Sequence, residues 1–474
     1  MSSSKRRIVL KFGGTSVGNA ERIKNVAKSV NEAVNGGNQV IVVASAMNGI
    51  TDTLIKMSEL AKSGHLDKLR SELDKLRERH LQVVNDAISN TKIRSEVRKT
   101  VEERINALDK VLEGISILGE MTPRSKDLVI SFGERLSTPI VSGAIADIGL
   151  KSKHFTGGEA GIVTDDEFGE ANPLMNITKM KTAKTLEPLL NEGVIPVITG
   201  FIAATQSGEI TTLGRGGSDY TGTILGAVLS ADDIWICTDV NGMMTADPKI
   251  VPDARTIPRL SYAEALEMTV FGAKALHARS LEPVMEYNRP LWVKNTFNLK
   301  HPGTLITKDQ NVADGEVAKS VALIRDVAMI NIGGASMVGK PGIAAKIFEI
   351  LGQNGINILM ISQSVSEANI SMVLRRSHLE KAVSALEISL LGKGFANQVN
   401  AEDDVAVVAI VGAGMKGAPG VAARVFKAVA DKGINVRMIA QGSSELNISF
   451  VVKEKQCEEA VRALHKEFKL NQAP

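Results

Sequence analysis

Up to about Thr307, short runs of unbroken apolar residues alternate with longer segments whose apolar positions recur at helical spacing. RIVL (Arg7–Leu10), the first part of QVIVVASAMNGITDTL (Gln39–Leu54), VIPVITGFIAA (Val194–Ala204), DIWICT at the start of Asp233–Lys249 and RPLWVKNTFN (Arg289–Asn298) read as buried strands. Helices are predicted from about Ala20, from Thr51 or Asp52, over Lys126–Ile145, through the small-residue run Thr221–Leu229, and over Phe271–Glu286. Between Leu66 and about Glu120, charges of alternating sign flank helically spaced leucines, as in LDKLRSELDKLRERHLQVV. That reads as a two-helix hairpin on the domain surface with its charges in water. Strands alternating with helices predict an α/β domain over residues 1–307, a mostly parallel sheet sandwiched by helices.

Beyond Thr307 the pattern repeats itself. Gly334 matches Gly412, an offset of 412 − 334 = 78. The same offset joins Pro341–Gly342 to Pro419–Gly420, Asn357 to Asn435, Gln363 to Gln441, Glu367 to Glu445 and Asn369 to Asn447. Each copy reads strand, helix, strand, QxxSE turn, strand, helix, which is a small two-layer α+β module. The two modules are placed at 317–395 and 403–474. The second runs out soon after its last helix and lacks a final strand. Val317–Ile324 could supply it, so the modules are expected to interleave. Duplicated modules with polar loops at helix starts suit an effector site better than a structural cap.

Composition alters this picture little. The 474 residues are 44% apolar and 23% charged with a formal net charge of +3, as in an ordinary soluble protein with no strong attraction to nucleic acid or membrane. No run approaches the ~18 uncharged apolar residues that a membrane span needs. MSSSKRRIVLKFGG has no signal-peptide apolar region. Cys237 and Cys457 can form no disulfide framework and lack metal-ligand spacing, which fits a reducing compartment, so a cytoplasmic protein is expected.

The densest chemistry lies in TTLGRGGSD (Thr211–Asp219): one guanidinium, three glycines, a hydroxyl and a carboxylate before a helix. Bare N–H groups at a helix start attract anions, and Arg215 adds a fork suited to carboxylate or phosphate. A structural glycine turn would explain Gly216–Gly217 but would not need Arg215 and Asp219 beside them. KFGGTSVG (Lys11–Gly18) joins the first strand to the first helix with Lys11 at the strand end. It is not the P-loop pattern, because the lysine precedes the glycines. Ser45–Ala46 follows the second strand. All three stretches fall at the carboxyl edge of a parallel sheet, where such folds bind ligands. Glu134, between the apolar faces of its helix, needs a cationic partner: Arg135, a neighbouring helix or a substrate ammonium. Thr238, Asp239, Asp247 and Lys249 lie where a nucleotide could sit. His277 has no carboxylate at useful spacing and reads as structural.

With KFGGTSVG, VVASAMNGITD, SFGERLS, TGFIA, TTLGRGGSDYT, TDVNGMMTADP, FGAKALH and VKNT in hand, the chain resembles the aspartate kinases over essentially its whole length. The resemblance implies the amino acid kinase fold followed by two ferredoxin-like ACT modules. It also implies ATP-dependent, Mg²⁺-assisted phosphorylation of the β-carboxylate of L-aspartate to 4-phospho-L-aspartate, the entry to lysine, threonine and methionine synthesis. Carried over residue by residue, Lys11, Ser218, Asp219 and Lys274 would act in catalysis. Lys11, Phe12, Gly13, Gly14, Thr238, Asp239, Met244, Lys249 and Lys274 would contact ATP. Ser45, Thr51, Glu134, Arg215 and Ser218 would contact aspartate, with no protein metal site. Lysine or threonine would bind at Met337, Gly342, Ile343, Asn357, Gln363, Ser364 and Asn369. A homodimer or higher oligomer is implied. The sequence departs from the family's usual VDGIYTTDPR at Asn241, Met244, Ala246 and Lys249, and carries Asp52 for Asn and Ala278 for Pro. Another carboxylate kinase of the same fold, such as an acetylglutamate kinase, and a catalytically weak amino-acid sensor are the alternatives. From length, a fused homoserine dehydrogenase is not expected.

Overall fold

Consecutive apolar positions form strands where the sequence predicts them, and the parallel ones converge on one edge. The computed structural model describes residues 5–271, 276–298, 300–309, 316–391 and 394–472. It divides into two compact units. The first holds 1–243, 258–262 and 274–309, and the second holds 244–257, 263–273 and 310–474.

The first unit is built on an eight-stranded sheet. In chain order its strands are β1 (Arg7–Phe12), β2 (Gln39–Ala44), β3 (Ser152–Phe155), β4 (Ile195–Thr199), β7 (Asp233–Thr238), β8 (Arg259–Ser261), β9 (Leu291–Asn295) and β10 (Thr304–Thr307). A separate hairpin pairs β5 (Ile202–Ala204) with β6 (Ile210–Thr212). The sheet order is β3-β4-β2-β1-β7-β9-β10-β8, parallel throughout except where β10 meets β9. The helices are α1 (Ala20–Asn35), α2 (Ile50–Lys62), α3 (Leu66–Ala87), α4 (Thr91–Leu118), α5 (Pro123–Asp147), α6 (Met175–Asn191) and α7 (Gly217–Val228). The predicted charged hairpin is α3–α4. Its leucine stripe (Leu69, Leu73, Leu76, Leu108, Leu112) joins the same core as Ile8, Leu10 and Phe12 of β1. The α5 helix is buried over most of its length, which is why Gly133 and Gly143 sit where a Cβ would strike Ala46 and Ile88.

One predicted helix is corrected. Phe271–Glu286 is not one continuous helix. Helix α8 (Tyr262–Val270) ends before it, His277 is extended (φ −99°, ψ 142°), and a short 3₁₀ turn (Ala278–Leu281) leads into α9 (Glu282–Glu286). The break has a packing reason. His277 Cβ lies against Gly216, where an added methyl would sit 2.4 Å away.

In the second unit β11 (Ser320–Gly333), β12 (Ile358–Gln363), β13 (Asn369–Arg375), β14 (Gln398–Val411), β15 (Met438–Ala440) and β16 (Asn447–Lys453) form an antiparallel sheet in the order β12-β13-β11-β14-β16-β15. Helices α10 (Ile343–Gln353) and α11 (Leu379–Leu386) cover one module, and α12 (Val421–Ala430) and α13 (Cys457–Glu467) the other. The long strands are shared reciprocally. Ser320–Ile324 of β11 pairs with Val407–Val411 of β14, and Met329–Gly333 pairs with Gln398–Glu402, with register shifts between the halves. Val321 thus pairs with Ile410 of the second repeat. Arg376 and Glu454 form a 2.6 Å ion pair, and their separation, 454 − 376 = 78, equals the repeat offset. Each repeat presents one of two equivalent positions to the other.

The second unit also encloses an ion pair, Lys319 Nζ to Glu264 at 3.2 Å, with side chains 3% and 0% exposed. Glu264 also accepts the Ala413 N–H at 2.8 Å. Lys319→Met removes the ammonium paired with a buried carboxylate and is expected to lower stability by about 3–5 kcal/mol. Thermal unfolding would show it, with much of the loss restored in Lys319→Met/Glu264→Gln. A Lys319→Met variant as stable as the parent would contradict this.

Candidate active site

The carboxyl edge of the first unit's sheet carries a cavity of about 390 Å³. Lys11 and Gly14 line it from the end of β1, Ser45–Gly49 from the end of β2, Thr51 and Asp52 from the start of α2, and Glu134 from α5. Phe201 and Gly214–Asp219 complete it. The three stretches that the sequence places at this edge therefore meet.

Local backbone chemistry sets the geometry. Ser45 N–H donates to Phe12 C=O at 3.1 Å, which ties the ends of β1 and β2 together. Ser137 Oγ on α5 donates to Ser45 C=O at 2.7 Å. Arg79 on α3 donates to Asn48 C=O at 2.9 Å. A Cβ on Gly222 would stand 3.2 Å from Lys11 Cβ, so glycine lets α7 lie close to the lysine. Both α2 and α7 start from left-handed glycines, Gly49 (φ 79°) and Gly216 (φ 76°), and no side chain caps either start. Two helix N-termini with their partial positive charge thus open on one cavity. Phe201 holds φ 68°, an uncommon conformation for a side-chain-bearing residue, at the turn between β4 and β5.

The charged groups sort by sign and burial. Lys11 is 8% exposed and its Nζ pairs with Asp219 Oδ1 in the first turn of α7. Arg215 is exposed at the cavity wall. Glu134 is buried with Oε2 unpartnered. Burial pushes its carboxyl up to about 8, against the pull of the Ala46 N–H and the Lys11 charge. His277 is pushed below the ordinary histidine value by burial and by Arg215 nearby.

Of the residues proposed to contact substrate, Ser45, Thr51, Glu134, Arg215 and Ser218 all line this cavity. Of the nucleotide group, Lys11 and Gly14 do so. Phe12 is buried in the core and Gly13 N–H turns to Cys237 C=O at 3.4 Å. Thr238 ends β7 and its hydroxyl donates to Asp239 at 3.2 Å. Met244 and Lys249 belong to the second unit, and Lys274 lies outside the described residues. Asn48 and Met47 also line the cavity, though neither is among the residues that the sequence pointed to. Among the described residues no cluster of three or more His, Cys, Asp or Glu is placed to hold a metal ion, and no helix is long and apolar enough to cross a membrane.

The second unit has its own cavity, about 300 Å³, at the start of α10. Met337, Gly342, Ile343 and Gln363 line it, with Glu367 accepting the Gly339 N–H at 2.9 Å. Asn357, Ser364 and Asn369 do not. The Ser364 N–H donates to Asn369 C=O at 3.3 Å, within the turn between β12 and β13.

Comparison with known proteins agrees with both halves. The amino acid kinase family model matches residues 6–295, and an ACT domain model matches 330–390 and 408–468. The chain is 34% identical over 474 residues to Aspartokinase 1, chloroplastic, of Arabidopsis thaliana, covering 97% of this chain and 80% of that protein. It is 35% identical over 472 residues to the same plant's Bifunctional aspartokinase/homoserine dehydrogenase 1, chloroplastic, covering 98% of this chain but only 51% of the relative, so it spans about half of that protein's length. Among solved structures, E. coli aspartokinase III in complex with aspartate and ADP superposes with a TM-score of 0.81 at 29% identity, covering 97% of this chain and 99% of that one. The same enzyme with lysine and aspartate gives 0.80 at the same identity and coverage.

Proposed function

This chain belongs to the aspartokinase family, and on that premise we propose that its cavity phosphorylates the β-carboxylate of L-aspartate with ATP. The observation that carries the reading is the meeting of Lys11, Glu134, Arg215, Asp219 and two uncapped helix starts around one cavity. A β-carboxylate oxygen attacks the γ-phosphorus, the bond to the bridging oxygen breaks, and ADP leaves with that electron pair. The product is the acyl phosphate 4-phospho-L-aspartate. A carboxylate nucleophile is already ionised, so no general base is needed. Asp219 serves to hold Lys11, and Lys11 with the helix starts stabilises the charge on the transferring group. Arg215 grips the substrate α-carboxylate and Glu134 its ammonium, with Ser45, Thr51 and Ser218 completing the pocket. Thr238 and Asp239 of the first unit are assigned to the nucleotide.

The fit to Mg²⁺ follows from the donor set. Asp219 is engaged by Lys11, so the ion would be held by ATP phosphate oxygens, where it would neutralise charge on the transferring group. The second unit is read as regulatory. Its 300 Å³ cavity is assigned to an end-product amino acid, lysine or threonine, and the ACT modules to association into a homodimer or larger oligomer. Two buried free cysteines suit a reducing compartment such as the cytoplasm.

The test is aspartate-dependent ADP release with MgATP, trapping the acyl phosphate as aspartyl hydroxamate, with and without lysine or threonine. Hydroxamate that requires aspartate and falls with one of the amino acids is the expected result. Absence of hydroxamate at saturating ATP would favour the sensor reading, and equal turnover of N-acetylglutamate would move the substrate assignment.

A further inference from the structure

We propose that Asp127 and Arg279 are positioning residues for Arg215, which they serve by clamping the loop that carries it. The proposal rests on the reading of Arg215 as the group that grips the substrate carboxylate. Leu213–Gly216 is poor in intrinsic rigidity, since Gly214 (φ 72°) and Gly216 (φ 76°) flank the arginine in left-handed conformations. Something outside the loop must therefore fix where the guanidinium points.

Two side chains distant in sequence do so. Asp127, near the start of α5, is 1% exposed. Its Oδ2 accepts the Thr212 N–H and the Gly169 N–H, both at 2.9 Å, and its Oδ1 accepts the Thr212 hydroxyl at 2.8 Å. Burial pushes this carboxyl up while the three donors pull it down. Arg279, in the 3₁₀ turn, holds the other end of the same stretch. Its Nη1 donates to Leu213 C=O at 2.9 Å, and its Nη2 donates to Ala171 C=O at 3.2 Å and to Asn172 Oδ1 at 2.8 Å. The guanidinium lies 5.0 Å over the Tyr220 ring in α7.

The clamp closes on itself. Ala171 N–H donates to Thr212 C=O at 2.9 Å, and Asn172 is fixed by two 2.9 Å bonds to Asp165. Arg215 thus projects from a six-residue span, 214–219, anchored at Thr212–Leu213 on one side and at Tyr220 on the other. Neither Asp127 nor Arg279 lines the cavity, so any effect on substrate passes through the loop. A misplacement of about 1 Å can cost on the order of 10²-fold in such systems.

The experiment compares Asp127→Asn and Arg279→Lys with Arg215→Ala in the full chain. Asparagine keeps the shape but replaces one acceptor oxygen with an NH₂, set against either the two backbone N–H groups or the Thr212 hydroxyl, and lysine keeps the charge but cannot serve two carbonyls as a fork. The expected result is a rise of roughly 10–100-fold in KM for aspartate, with KM for MgATP and kcat within about 3-fold. Backbone amide exchange over 211–217 should quicken. In the Arg215→Ala background, Asp127→Asn should raise KM no further, the mark of two residues acting through one contact. The proposal is overturned if folded Asp127→Asn and Arg279→Lys change neither exchange nor KM while Arg215→Ala raises KM, or if both substrates lose affinity equally. An Arg215→Ala enzyme with unchanged KM for aspartate would instead overturn the reading of Arg215 and the proposal with it, a distinguishable result.

Discussion

Lys11→Ala is expected to lower the rate of aspartyl hydroxamate formation by about 10³–10⁵-fold, the range seen when a phosphoryl-transfer site loses a charge that it needs in the transition state. Among the described residues lining the cavity, Lys11 is the one lysine. Lys11 is buried at the end of β1, Gly222 is shaped to its stem, and its partner Asp219 is fixed in the first turn of α7. Removing the ammonium also leaves the Asp219 charge facing the phosphates, so the variant should do worse than simple deletion of a donor. Lys11→Ala/Asp219→Asn should therefore recover part of the loss. Hydroxamate production within tenfold of the parent by a folded Lys11→Ala protein would remove Lys11 from the mechanism.

The second large effect concerns Glu134. Its carboxyl is raised to about 8 by burial, so below that pH the group is mostly neutral. A substrate ammonium must then displace a proton before it can pair. Hence kcat/KM for aspartate should climb between pH 6 and 8 and level off above. Glu134→Gln should flatten that climb and raise KM by roughly 200- to 5,000-fold, equivalent to the 3–5 kcal/mol of a broken buried pair. Stability moves in the opposite sense. A carboxyl whose folded value lies above the ordinary 4.5 binds its proton more tightly when folded. Its contribution is complete at pH below 4.5 and is lost as pH rises through about 8. Glu134→Gln is accordingly expected to melt higher than the parent at pH 8 and to approach it near pH 5. A pH-independent KM in the parent enzyme would argue against an ammonium at Glu134.

The parts of this site legible in the sequence are those with local causes. KFGG and LGRGGSD announce themselves because a strand end, glycines and a helix start lie within nine residues, and turn chemistry acts over that distance. Glu134 could be placed on a helix, but its choice of partner could not be decided, because the loop that it faces is remote in sequence. Asp127 and Arg279 gave no signal for the same reason: their partners Thr212 and Leu213 lie 85 and 66 residues away. The break before the Ala278–Leu281 turn was equally hidden, since the contact of His277 with Gly216 is tertiary and the 271–286 pattern satisfies helical periodicity by itself. Segments 244–257 and 263–273 join the second unit through long-range contacts such as Thr245 Oγ1 to His465 Nε2 at 3.0 Å, 220 residues apart. Conversely, the 78-residue offset was readable because duplication leaves its record in the residues themselves.

The reciprocal sharing of β11 and β14 bears on how such a protein can evolve. A gene encoding one repeat would make a chain short of a strand, able to complete its sheet only by borrowing from another copy. Tandem duplication turns that borrowing inward and locks the copies together, so later recombination can shuffle the pair but not half of it. Once joined, the copies are free to drift apart. Lys340 of the first cavity already stands opposite Ala418 in the second repeat, and Ile343 opposite Val421. Arg376 meeting Glu454 shows the same divergence at the seam. Two identical copies would set like charge against like there, and inheritance has settled on opposites.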